Sequence, residues 1–316
     1  MKQFLSVRDA GNVGDLVREA RELKRHPFAL QELGRNRTLG LVFFNSSLRT
    51  RMSTQRAARN LGMDVIVLNT GQDAWQLEFA DGTVMDGGSA EHIREAAAVL
   101  GEYCDIIGVR AFPGLKDREE DAREEILAGF VRCSGKSVIS LESATRHPLQ
   151  SLADCITIDE YRRRERPKVV LTWAPHPRAL PQSVANSFVE WMREMDVDLV
   201  VTHPEGYELA PSFMGDVPLT RDQDEALAGA DFVYAKNWSS YHDYGKILRT
   251  DDSWMITAEK MARTRDGHFM HCLPVRRNVV VADAVLDSEA SIVIPQAGNR
   301  MWSAQVVIKR MLEAAA

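Results

Sequence analysis

Leu39-Gly40-Leu41-Val42-Phe43-Phe44 runs into Asn45-Ser46-Ser47-Leu48-Arg49-Thr50-Arg51: an apolar β-type run stops at small polar residues. Met52, Ala57, Ala58 and Leu61 follow at helical spacing, so the stretch reads as strand, turn and helix, with Ser47 to Thr50 across the helix N-terminus. Such an end carries free backbone N–H groups and the positive end of the helix dipole. Two hydroxyls stand beside it, and Arg49 offers a planar fork for a pair of phosphate oxygens. The same residues also suit an ordinary N-cap followed by a solvated basic turn, and spacing alone does not separate the two.

Outward from this stretch, strand-like and helix-like segments alternate to the C-terminus, the pattern of a parallel α/β architecture. After a helix at 12–26, strands are expected at Leu39–Phe44, Met63–Leu68, Cys104–Val109 and Ser137–Leu141, with helices near 48–61, 91–102 and 117–131. The second half offers strands at Val169–Trp173, Asp198–Thr202, Phe232–Ala235, Phe269–Cys272 and Ser291–Ile294. Two open sheets accommodate these better than one. The expected fold is therefore α/β, in two domains that each have a parallel sheet flanked by helices. Residues 1–143 form the first and 144–298 the second, with a last helix in 299–316 returning to the first. Two segments break the rhythm. Asn69 to Ala90 is a long Gly- and Asp-rich loop carrying an isolated Trp75, suited to an interface, and Pro175 to Pro181 places three prolines after a strand.

The chain has 316 residues, 45% of them hydrophobic, which supports a substantial core. A net charge of -6 argues against a nucleic-acid or anionic-membrane surface, so local arginines are better read as sites for small anions. The start meets charge before any signal-like apolar region and no apolar run approaches a membrane span, so the expected location is the cytoplasm. Cys104, Cys133, Cys155 and Cys272 lie far apart, with neither a zinc spacing nor a disulfide framework. No metal is expected.

Ligands of open parallel sheets bind beyond the carboxyl ends of the strands. Arg110, the group Glu142, Arg146, His147 and Gln150, then His176, Lys236 and His271-Cys272-Leu273-Pro274 all fall at such ends. Each alone is weak, since a lone His is more often structural. Together with Ser47 to Arg51 they suit a phosphate-bearing substrate whose carbonyl must be polarised.

Ser47-Leu48-Arg49-Thr50-Arg51, His147-Pro148-Leu149-Gln150 and His271-Cys272-Leu273-Pro274, in that order, resemble the carbamoyl phosphate motifs of the aspartate and ornithine transcarbamylases. The resemblance runs over essentially the whole chain. It implies a carbamoyl phosphate-binding first domain, a second domain for the amine substrate, and a homotrimer with active sites shared between subunits. Position by position, Ser47, Leu48, Arg49 and Thr50 would hold the phosphate beside Arg110, and Pro148 and Leu149 of the His147 motif would also bind carbamoyl phosphate. His147 would meet the carbonyl oxygen and Gln150 the carbamoyl amide, and Trp75 would come from an adjacent subunit. Main-chain carbonyls of Cys272 and Leu273 would orient the carbamoyl nitrogen and the attacking amine, with Arg276 and Arg300 completing the pocket. No cofactor is implied, and Cys272 positions rather than attacks.

Departures from the pattern bear on the substrate. Where ornithine enzymes carry an aspartate for the free α-amine, this chain has Tyr234-Ala235-Lys236-Asn237-Trp238. A lysine cannot pair with an ammonium but suits a carboxylate, which implies an acylated, neutral α-nitrogen. Lys236, Asn237 and Trp238 with the proline-rich stretch resemble the acylornithine branch, whose members use N-acetyl- or N-succinylornithine and whose proline-rich loop makes a chain knot. Glu142 and His176 would then line the acylornithine pocket. At Ala90 the acetyl enzymes place a glutamate and the succinyl enzymes a proline. A glutamate would repel a succinyl carboxylate; alanine removes that obstacle and favours succinylornithine over acetylornithine, with Glu91 a nearby charge to account for. A dinucleotide-binding oxidoreductase lacks its Gly-x-Gly-x-x-Gly turn here. A non-catalytic binding protein would not need every polar role filled.

Overall fold

The computed structural model describes residues 1–315. Five parallel strands build the first sheet: β1 (Gln3–Phe4), β2 (Thr38–Phe43), β3 (Asp64–Asn69), β4 (Ile106–Arg110) and β5 (Ser137–Glu142), in the spatial order β1-β5-β4-β2-β3. Strand β4 is buried at every position, and β2 and β5 at all but the first. Cover on both faces is why these runs are continuously apolar rather than alternating. The helices are α1 (Val13–Arg25), α2 (Arg49–Asn60), α3 (Ile93–Tyr103) and α4 (Glu125–Cys133). Helix α1 starts where the Asn12 side chain accepts from the Asp15 N–H, and it buries Val13, Leu16, Val17, Ala20 and Leu23 on one face. Helix α2 stops at Gly62, whose φ of +84° and 2.0 Å approach of an added Cβ to the Gln31 carbonyl admit only glycine. Phe130 of α4 is fully buried in a cluster with Ile93, Ile107 and Val138, worth about 2–3 kcal/mol of apolar transfer.

A second sheet follows with β6 (Lys168–Trp173), β7 (Asp198–Thr202), β8 (Leu219–Thr220), β9 (Phe232–Lys236) and β10 (His268–Met270), ordered β8-β7-β6-β9-β10, again all parallel. Its helices include α5 (Pro148–Tyr161), α6 (Ser183–Met192) and α7 (Val293–Ala315). One core cluster here gathers Val170, Val233, Ala235, Phe269 and Val285.

In both sheets the order of adding strands reverses near the middle. In the first, β3 lies on one side of β2 and β4 on the other, and Phe43 registers against Arg110 at the carboxyl ends. In the second the reversal falls between β6 and β9, where Trp173 registers against Lys236. The chain divides into two compact units. One comprises Met1–Gly114, Glu119–Leu149 and Arg300 onward; the other comprises Leu115–Arg118 and Gln150–Asn299. The first unit thus runs past residue 143, and α5 and α7 each carry the chain from one unit to the other.

Two expectations need correction. Ser291–Ile294 is not a strand: Ser291 makes a single bridge to Phe269 and α7 begins at Val293. Its apolar, β-branched run reads as strand, yet Pro295 is tolerated in a helix's first turn, where no N–H is required. The helix expected over 117–131 is two, Arg118–Ala122 and α4, separated by Glu124 in the left-handed region. Within the expected loop Asn69–Ala90, Leu77–Glu78 pairs in parallel with Glu91–His92 just beyond it. The two-residue strands β1 and β8 were too short to show any periodicity.

Candidate active site

In the first unit, the carboxyl ends of β2, β4 and β5 and the start of α2 bring together four of the residues singled out by sequence. The fifth member, Arg300, comes from α7. Leu48 occupies the N-cap position of α2 with no side-chain cap bond, and no acid stands in the first helical turn. Arg49 is the first helical residue, Leu48 is exposed, and Ser47 is half-buried. Thr50, 2% exposed, turns its hydroxyl inward, where Oγ1 accepts from Arg110 Nη1 at 3.3 Å and Arg300 Nη2 at 2.7 Å.

Arg110 also donates from Nη1 to Glu142 Oε2 at 2.7 Å, and its guanidinium lies 4.5 Å from the Phe112 ring centroid. Phe112 is held in turn by its N–H, which donates to Asn45 Oδ1 at 2.7 Å. Arg300 Nη1 stands 3.1 Å from His147 Nε2, and Glu142 Oε2 lies 3.4 Å from the same nitrogen. A guanidinium can only donate, so the Arg300 contact requires the Nε2 lone pair and puts the ring proton on Nδ1. Arg110, Glu142, His147 and Arg300 are all buried. Two permanent cations and one carboxylate, with hydroxyl and imidazole between them, suit a dianionic group with a polarisable carbonyl.

Trp75 and Ala90 belong to the same unit but not to that hydrogen-bonded cluster. Trp75 is 60% exposed and donates from Nε1 to Glu91 Oε2 at 2.8 Å, while the Ala90 N–H donates to the Gln76 carbonyl. Glu91, the charge beside Ala90, is therefore engaged by the indole. Pro148 opens α5, and Leu149 is buried with its carbonyl accepting from Ser303 Oγ.

In the second unit, the carboxyl ends of β6 and β9 gather a cationic group. Lys236 ends β9, is nine-tenths buried, and among the described residues takes part in no ion pair. His176 accepts from Arg276 Nε at Nε2, 3.1 Å, which leaves its Nδ1 proton to donate to the Arg178 carbonyl at 2.9 Å. Burial pushes the His176 pKa down and the charges of Lys236, Arg276 and Arg178 push it further, against the raising effect of the Arg178 carbonyl. The neighbouring Arg277 is committed elsewhere, to Asp283 and Asp287. Asn237 and Trp238 are structural anchors: Nδ2 of Asn237 donates to the Ala174 carbonyl and Nε1 of Trp238 to that of Tyr207, both at 2.7 Å.

The His271-Cys272-Leu273-Pro274 turn bends sharply, with Leu273 at φ 55° and a cis bond to Pro274. His271 Nδ1 accepts from the Leu273 N–H at 2.9 Å. Cys272 is buried, as are Cys104 and Cys155; all four cysteines are free thiols. Gln150 is fully buried and donates to Asp154 Oδ1 at 2.8 Å. The same oxygen accepts from Gln296 at 2.7 Å, and Gln296 Oε1 accepts the His271 N–H at 2.9 Å. Sequence reasoning missed Asp154, Gln296, Asn45 and Phe112. Asp154 sits one helical turn after Gln150 and could have been found by that spacing; the other three gave no local signal.

Among the described residues, no three or more His, Cys, Asp or Glu side chains are grouped to hold a metal ion, and no helix is long and apolar enough to cross a membrane. Residues 2–160 match the aspartate/ornithine carbamoyltransferase carbamoyl-P binding domain, and residues 181–311 the Asp/Orn binding domain of the same family. The chain is 56% identical over 315 residues, 99% of each protein, to an N-succinylornithine carbamoyltransferase of Bacteroides thetaiotaomicron. It is 40% identical to an N-acetylornithine carbamoyltransferase of Xanthomonas axonopodis pv. citri, covering 95% of this chain and 94% of that protein. A solved N-acetyl-L-ornithine transcarbamylase in which one glutamate is replaced by alanine, complexed with carbamyl phosphate and N-succinyl-L-norvaline, superposes with a TM-score of 0.90. It shares 36% identity over 98% of this chain and all of its own.

Proposed function

The chain belongs to the aspartate/ornithine carbamoyltransferase family, and from that premise we propose that it transfers the carbamoyl group of carbamoyl phosphate to the δ-amine of N-succinyl-L-ornithine. The products are N-succinyl-L-citrulline and phosphate, a step of arginine biosynthesis. The observation that carries the acylated substrate is Lys236, a buried cation with no ion partner among the described residues, beside Arg276 and the neutral His176. A buried charge without a counter-ion is costly, and a substrate carboxylate supplies one; an ammonium there would be repelled.

In this reading the α2 N-terminus, with Ser47, Leu48, Arg49 and Thr50, and the cations Arg110 and Arg300 bind the phosphate. Pro148 and Leu149, in the His147 motif, line the same site, and Trp75 reaches it from a neighbouring chain of a homotrimer. The uncharged amine attacks the carbonyl carbon. Negative charge gathers on the carbonyl oxygen, where Thr50, Arg110 and His147 can stabilise it, and phosphate departs into the cationic site. Gln150 accepts from the carbamoyl nitrogen, and the Cys272 and Leu273 carbonyls orient it and the amine. Glu142, Ala90, His176, Lys236 and Arg276 contact the acylornithine.

The succinyl group is favoured by the small, neutral Ala90 and by the indole hydrogen bond that occupies Glu91. It is supported by the 56% identity to a protein named for succinylornithine, against 40% to one named for acetylornithine. The glutamate-to-alanine variant of the acetyl enzyme that is complexed with a succinyl compound points the same way. The direct test is phosphate release from carbamoyl phosphate. Release should depend on added N-succinylornithine; release that ignores it, or none at all, would refute the proposal.

A further inference from the structure

Glu124 stands at φ 48° and ψ 44°, in the left-handed region that glycine enters freely and a glutamate does not. Its side chain uses that backbone turn. One carboxylate oxygen, Oε1, accepts from Ser143 Oγ at 2.6 Å, Thr145 Oγ1 at 2.6 Å and the Thr145 N–H at 2.8 Å. The segment it grips is closed on itself: the Ser143 N–H donates to the Arg146 carbonyl at 2.8 Å, and the Arg146 N–H to Ser143 Oγ at 3.1 Å. This turn joins Glu142 to His147. Those two residues meet at 3.4 Å in the buried cluster and hold Arg110 and Arg300 there.

We propose that Glu124 is a positioning residue for carbamoyl transfer: by clamping the 143–146 turn it sets the separation of Glu142 and His147. The proposal rests on the function assigned above. Strained backbone persists where the surroundings over-determine it, and here three donors converge on one oxygen to do so. The helix break at Glu124 follows from the same need. A continuous helix over 118–133 would not present this side chain from a left-handed residue, whereas the break between Ala122 and α4 does. A carboxylate that touches no reacting group acts on rate through geometry, where displacement of a catalytic group by about 1 Å costs on the order of 100-fold.

Two substitutions separate anchoring from folding. Glu124→Gly keeps the positive φ without strain and deletes the clamp. Glu124→Gln keeps an oxygen acceptor in place. For the glycine variant we expect a melting temperature close to that of the parent, kcat lower by about 10- to 100-fold, and faster amide exchange at 143–146. The glutamine variant should recover most of kcat. A glycine variant with parental kcat, or a glutamine variant no better than glycine, would overturn the proposal. Absence of carbamoyl transfer by the parent chain would instead defeat the functional reading. Amide exchange then decides the clamp by itself: faster at 143–146 in the glycine variant supports it, and unchanged rates overturn it.

Discussion

At the scale of the residue, the account depends on a few buried polar side chains and on their protonation. Arg110 holds Glu142 at 2.7 Å and Thr50 at 3.3 Å, so Arg110→Ala should remove transition-state stabilisation and abolish measurable turnover, a loss of about 1,000-fold or more, while assembly persists. Steady-state assay with size-exclusion chromatography checks both halves. Thr50→Val deletes one acceptor shared by two guanidinium groups and should raise KM for carbamoyl phosphate about tenfold, with KM for the acylornithine unchanged. His176 titrates below its ordinary value chiefly because it is desolvated. The folded form therefore binds fewer protons than the unfolded one near pH 6, and stability rises with pH through that window. The neutral ring is also the form that accepts from Arg276. KM for the acylornithine, counted on its uncharged δ-amine form because a free alkyl amine is mostly protonated below about pH 10, should be flat from about pH 7 upward and climb only below the ordinary imidazole pKa of about 6.5. An inflection above that value in the pH profile of KM would contradict the His176 assignment.

At the scale of the element, legibility followed periodicity and length. Strands β2, β4, β5, β6, β7 and β9 were readable because parallel strands buried on both faces are unbroken apolar runs. The start of α7 was not, because Ser291-Ile292-Val293-Ile294 is locally β-like and only tertiary packing makes Val293 helical. Among site residues, those at carboxyl ends of strands could be named from sequence. Their supports could not: Asp154, which ties Gln150 and Gln296 to one oxygen, reads as an ordinary helical acid until its complete burial is seen. Asp154→Ala should leave two buried amide groups without that acceptor and cost about 3 kcal/mol. Denaturant titration beside Asp154→Asn, which retains an oxygen at that position, measures it.

At the scale of the whole molecule, charge and surface bear on assembly and substrate. A chain carrying -6 overall buries Arg110 and Arg300 in one cluster and Lys236 at a strand end in the other unit, which suits anionic metabolites rather than polymers. Exposed Trp75, Leu48 and Met52 lie in the unit that carries the proposed phosphate site. Covering them is the physical case for the proposed homotrimer. Sedimentation equilibrium should give about three times the 35.4 kDa chain mass, and Trp75→Ala should lower kcat in that assembly. Rejection of a free α-amine by Lys236 and admission of a succinyl group by Ala90 are read together in one comparison. Carbamoyl phosphate is supplied with N-succinylornithine, N-acetylornithine and ornithine side by side, and the citrulline-type product is measured at matched concentrations. The succinyl compound should be clearly preferred, with negligible product from ornithine; a preference for ornithine would overturn the roles given to Lys236 and Ala90.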